Sequence, residues 1–126
     1  MTAQENKKVL VEYLEALSGK PKTAEIIDKY VVAPALKQHI LDFEAGFPNY
    51  SGQIEDIVAE GDLVAIRATF QGTHRNEFMG VPPTGKDVTI NAMIFYRMQD
   101  GKIVDFWMNA DMAGLMQQLG AAPAAV

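Results

Sequence analysis

The chain has 126 residues, 48% apolar and 21% charged, which fits a single domain over residues 1–126 with a packed core. It has no cysteine, which excludes disulfides, thiolate metal sites and a cysteine nucleophile. A net charge of −5 argues against nucleic acid or anionic membrane as a partner, because both reward basic patches.

The opening stretch MTAQENKKVL is polar and lacks the apolar core of a signal peptide. No apolar run approaches the length of a bilayer span, so a soluble cytoplasmic protein is expected. Val9, Leu10, Tyr13, Leu14 and Leu17 recur at helical spacing and predict a first helix that stops near Ser18-Gly19. Thr23 is placed to cap a second helix carrying Ile26, Ile27, Tyr30 and Val31. Pro34 suits a first helical position, so APALKQHILDFEAG reads as a third helix ending at Gly46.

From Gln53 the period changes. QIEDIVAE and LVAIRATFQGTH read as strands joined at Glu60-Gly61-Asp62. On the second, Val64, Ile66, Ala68, Phe70 and His74 share one face. DVTINAMIFYRMQ is a third strand, apolar on both faces between Met93 and Met98. Asp100-Gly101 is a hairpin signal leading into KIVDFWMN. DMAGLMQQLG is a last helix ending on Gly120, and AAPAAV reads as a frayed tail. Helices followed by a meander predict an α+β fold, with the N-terminal helices packed on one face of a curved antiparallel sheet. The apolar second face of that sheet predicts a homodimer.

The segment GTHRNEFMGVPPTG, residues 72–85, is longer than strand pairing requires and follows a strand that ends on a histidine. It, together with the following lysine, DGKIVDFW and DMAGLMQQLG, resembles the SnoaL-like polyketide cyclases, also called ester cyclases, in order and spacing. The resemblance covers roughly residues 5–120 and is strongest from Ile54 onward. It implies a cone-shaped fold of the nuclear transport factor 2-like superfamily, to which ketosteroid isomerase and limonene epoxide hydrolase are related. Asn76 stands where that family often has glycine; asparagine tolerates a left-handed backbone better than most residues.

Asp111 has two readings. Its position before Met112 favours a helix N-cap, which would hold the carboxylate ionised. The resemblance implies instead a general acid/base, needing apolar surroundings such as Trp107, Met108 and Met112 to raise its pKa. His74 reads as a satisfied structural side chain on an apolar face; the resemblance implies a pocket position near the acid, with the proline-rich loop shaping the mouth. His39 is either exposed or buried against the sheet, and in the family this position often faces the cavity. Trp107 is either core filler or a flat wall for a polycyclic ligand. With His39 and Trp107, Phe70 and Met108 complete the expected substrate-binding walls, the methionines being pliable.

Two distant histidines and no ligand spacing argue against a metal site. PTGK lacks the glycine spacing of a phosphate loop, and Ser18 and Ser51 sit in turn-like stretches that do not support a serine triad. What the resemblance implies is a cofactor-free, cyclase-type catalyst of aldol-like acid/base chemistry on a hydrophobic carbonyl compound. An isomerase or hydrolase on the same scaffold is the enzymatic alternative. A non-catalytic small-molecule-binding module is the alternative from another class.

Overall fold

A computed structural model describes residues 1–121. Helix α1 (Ala3–Leu17) starts in a capping box: the Glu5 amide donates to Thr2 Oγ1 at 3.1 Å, and the Thr2 amide donates to Glu5 Oε1 at 2.9 Å. It contains no glycine or proline, and Leu10, Tyr13, Leu14 and Leu17 form its buried stripe. Helix α2 (Ala24–Tyr30) is capped by Thr23, and helix α3 (Pro34–Gly46) opens on its proline.

Four strands follow as a meander of order β1-β2-β3-β4, all antiparallel: β1 (Ser51–Glu60), β2 (Leu63–Thr73), β3 (Asp87–Gln99) and β4 (Lys102–Ala110). The sheet is open and curved, and the fold is α+β, as the switch of period near Gln53 predicts. Asp100 and Gly101 both take positive φ, 51° and 75°, the requirement of a two-residue hairpin whose twist matches its strands. Strand β3 alternates without a break: Val88, Ile90, Ala92, Ile94, Tyr96 and Met98 point inward, and the residues between them point outward.

Two irregularities decide which side chains reach the interior. Ile54 pairs with Ala68 and Asp56 with Arg67, so Glu55 is an extra residue that lets both Ile54 and Ile57 face the helices. On β4, Asp105 pairs with Arg97 and Ile103 with Met98, which leaves Val104 as the extra residue. The facing parity reverses there. Ile103 is buried, whereas Asp105 and Trp107 turn outward and Phe106, Met108 and Ala110 turn inward.

The inner sheet face packs on α1, α2 and α3 in one apolar cluster. A second cluster joins Phe43, Phe47 and Tyr50 to Val88, Ile90 and the last helix, α4 (Met112–Gln118), through Leu115 and Leu119. Strand β2 ends at Thr73, one residue before the histidine, although His74 continues the pairing through backbone bonds to Lys86 and Gly85. The expected frayed tail lies, beyond Ala121, outside the described residues. No helix among the described residues is long and apolar enough to cross a membrane.

Candidate active site

Between α1, α3 and the inner sheet face lies a cavity of about 60 Å³ with largely apolar walls. Helix α1 contributes Tyr13 and Leu17, and α3 contributes Leu36, His39 and Phe43. The sheet supplies Phe70, Ala92, Tyr96 and Met108. The volume admits the reacting end of a ligand; a larger body must occupy the mouth or displace Met108 and Met112. Glycine at 52 shapes one wall, since it pairs with Phe70 across β1 and β2 and a Cβ there would stand 2.8 Å from the ring. The missing side chain lets Phe70 lie over β1, edge-on to Tyr50 with centroids 6.2 Å apart.

His39 stands at the mouth, part of its ring in solvent. Loss of water on its protein side lowers its pKa, against the pull of Asp42. It is therefore neutral at pH 7 and able both to donate and to accept.

Asp111 does not itself border the cavity. Its neighbours Ala110 and Met112 border the cavity, while its own carboxylate is exposed and caps α4, Oδ1 accepting from the Gly114 amide at 2.8 Å. A Cβ at Gly114 would collide with that carboxylate, so glycine is needed for the cap. Oδ2 makes no hydrogen bond among the described residues.

His74 is fully buried but does not border the cavity. Its Nδ1 accepts from the Thr84 amide at 3.2 Å and lies 3.0 Å from Thr84 Oγ1, and its ring stacks on Phe47. No hydrogen bond joins it to Asp111; its Nε2 has no partner among the described residues. The histidine instead closes the base of the 74–86 loop. That loop turns through Met79 and Gly80 at positive φ, and Phe78 packs on Phe43 and Phe47. Asn76 has no positive φ and works as a tether, its amide group donating to the Ala45 carbonyl at 2.9 Å. No side chain of the loop borders the cavity.

The structure thus gathers His39, Phe70 and Met108 around one cavity, leaves Asp111 outside its lining between Ala110 and Met112, and sets His74 behind an aromatic layer. Trp107 faces away from the cavity. The bulge at Val104 turns it to the outer sheet face, where it is 48% exposed beside Phe95 and under the Arg97 guanidinium.

Sequence reading did not single out four polar residues on the cavity wall: Lys22, Tyr13, Tyr50 and Tyr96. Lys22 Nζ donates to the carbonyls of Lys20 and Tyr50, at 2.8 and 2.6 Å, and pairs with Glu44 at 3.3 Å. Burial lowers its pKa despite Glu44, and with three partners it is a strut. Tyr13 and Tyr96 occupy core positions at helical and strand spacing, and Tyr50 lies in the turn before β1. The available signal was the hydroxyl each carries into an apolar setting. Among the described residues no three His, Asp or Glu side chains converge to hold a metal ion.

The sequence profile of the SnoaL-like polyketide cyclases matches residues 20–119. AclR from Streptomyces galilaeus, assigned as a hydroxylase, is 29% identical and superposes with a TM-score of 0.83 over 99% of this chain and 87% of its own. IdmH from Streptomyces antibioticus, assigned as a polyketide cyclase, is 28% identical with a TM-score of 0.76, over 91% and 98% of the two chains. A protein from Jannaschia sp. CCS1, assigned as a SnoaL-like polyketide cyclase, shares the fold at 20% identity, with a TM-score of 0.80 over 97% and 96%. No curated protein matches the chain.

Proposed function

The chain belongs to the SnoaL-like polyketide cyclase family, and on that premise we propose that it catalyses cofactor-free acid/base chemistry on a hydrophobic carbonyl compound. The observation that carries the reading is an apolar cavity lined by His39, Ala110 and Met112, the last two flanking Asp111 in the chain. Asp111 Oδ2 takes a proton from the carbon next to the carbonyl. The C–H electron pair forms the enolate double bond, and the carbonyl π electrons move to oxygen. In an aldol closure the enolate carbon attacks a second carbonyl of the same molecule, and the proton returns to the new alkoxide. The Asp111 carboxyl gives back the proton it took, and the neutral His39 ring donates a hydrogen bond to the same oxygen. His74 acts behind the site, holding the loop that packs on the end of α3. A homodimer through the outer sheet face is part of the same proposal.

The test is proton exchange on 1-tetralone in D2O, followed by NMR. The wild type should exchange the proton next to the carbonyl with saturation, and Asp111→Asn should lose on the order of a hundredfold or more. Asparagine caps as well as aspartate, so the thermal midpoint should stay near wild type. Equal exchange in both proteins would remove Asp111 from the chemistry.

A second reading has its own observation. Asp111 is engaged as a cap and His74 is held by Thr84, an arrangement that suits a small-molecule-binding module. That reading predicts saturable binding of 1-tetralone with no exchange above buffer.

A further inference from the structure

Tyr13, Tyr50 and Tyr96 line the cavity and are only 3%, 9% and 1% exposed. Buried phenols ordinarily find a hydrogen-bond partner, because leaving one unpaired in an apolar setting is unfavourable. None of these three hydroxyls has one among the described residues, although the neighbouring polar groups are satisfied. Nor are they sealed in. Among the described residues, the buried side-chain polar atom lacking both partner and accessible surface is His74 Nε2. The tyrosine oxygens therefore reach open space, and the space these residues line is the cavity.

The rings are held by packing. Tyr13 and Tyr96 meet edge to face with centroids 6.1 Å apart, and Tyr13 also leans on Tyr30 at 6.0 Å. Tyr50 is fixed between Phe43, at 4.9 Å, and the Lys22 ammonium, 4.1 Å from its centroid. The three come from α1, the turn before β1, and β3, and they are near enough that charge on one opposes charge on the next. Burial first, and this mutual repulsion second, push the Tyr13 and Tyr96 pKa values well up; burial with Glu44 does the same for Tyr50. All three are thus protonated at any working pH and present hydrogen-bond donors.

We propose that these hydroxyls form a donor cluster at the buried end of the cavity that binds a carbonyl or enolate oxygen of the ligand. This rests on the reading of the cavity as the ligand site. The cluster narrows the ligand class to neutral molecules with an apolar skeleton and a ketone or enol oxygen at the end that enters first. An anionic head would meet no free cation, because Lys22 is already paired with Glu44. During enolate formation the oxygen gains negative charge, and donors fixed in a low-dielectric wall strengthen their hold on it without reorganising.

The experiment compares two single-ring probes of similar shape, acetophenone and isopropylbenzene, on the wild type and on Tyr13→Phe, Tyr50→Phe and Tyr96→Phe. Phenylalanine keeps the ring, so any variant retaining a cooperative melt is usable and the three check one another. Acetophenone affinity should fall about two- to tenfold in the variants, the worth of one hydrogen bond, while isopropylbenzene affinity is unchanged. The carbonyl stretch of labelled acetophenone, lowered when bound to the wild type, should move back toward its value in hydrocarbon. Equal weakening of both probes would mean a packing role and overturn the proposal. An unshifted stretch with unchanged affinities would mean that the hydroxyls hold only water, and would overturn it equally. Binding of neither probe to the wild type would overturn the cavity as ligand site and the donor cluster with it.

Discussion

His39 shows how little separates a surface histidine from a site residue. It precedes Ile40 on α3, and helical spacing alone leaves it on either side of the boundary between stripe and solvent. The structure puts it at the cavity mouth, where desolvation lowers its pKa below the ordinary 6.5. A depressed folded value means that the unfolded chain binds the proton more readily, so this contribution is present above pH 6.5 and is lost as pH falls through the folded value. His39→Gln should therefore lose less thermal stability than the wild type between pH 7.5 and pH 5. Identical pH dependence in the two proteins would show that the ring is not desolvated. Asp111 posed a different problem. Its cap was legible, because an acidic residue before a helix has one strong local use. Its place between two cavity-lining residues, Ala110 and Met112, was not, since that depends on how β4 is aligned with β3. Tyr13 was legible as a core residue from its helical spacing, but none of the three tyrosines was legible as a donor, because an unpaired hydroxyl is a property of three elements meeting.

Strand β3 and helix α1 could be read almost to the residue, because each buries one unbroken stripe whose period survives into the fold. Strands β1 and β4 could not. Each contains one extra residue, at Glu55 and Val104, and a bulge breaks the alternation on which any reading of faces depends. Trp107 illustrates the consequence: counted from Asp105 it belongs with the outer face, counted from Ile103 with the inner one. Glycine at 52 is a second element-scale feature invisible in the chain, because its reason is the Phe70 ring across the strand pair. Gly52→Ala should force that ring to move and destabilise the protein by about 1–3 kcal/mol, the usual range for overpacking. Chemical denaturation measures the cost, and a wild-type midpoint would show that Phe70 has somewhere else to go.

At the scale of the whole molecule, the two faces of the sheet differ. The outer face carries a row of Val58, Ala65, Phe95 and Trp107 across all four strands, with Asp56–Arg67 on one side and Arg97 on the other. Phe95 is 53% exposed in the middle of it, an apolar surface that favours a second copy of the chain. Phe95→Lys should convert a dimer into a monomer by light scattering without disturbing the inner face. A monomeric wild type at micromolar concentration would contradict the assembly. The inner face holds the central claim, that the chemistry happens in the cavity between helices and sheet. Ala92 is buried on its wall, and Ala92→Leu fills part of a space of only about 60 Å³ while leaving Asp111 and its cap in place. The most direct measurement is the rate of 1-tetralone proton exchange by this variant, alongside its melting curve. The account predicts that exchange falls to the buffer rate while the cooperative melt is kept. Wild-type exchange in a folded Ala92→Leu protein would place the reaction outside the cavity and contradict it.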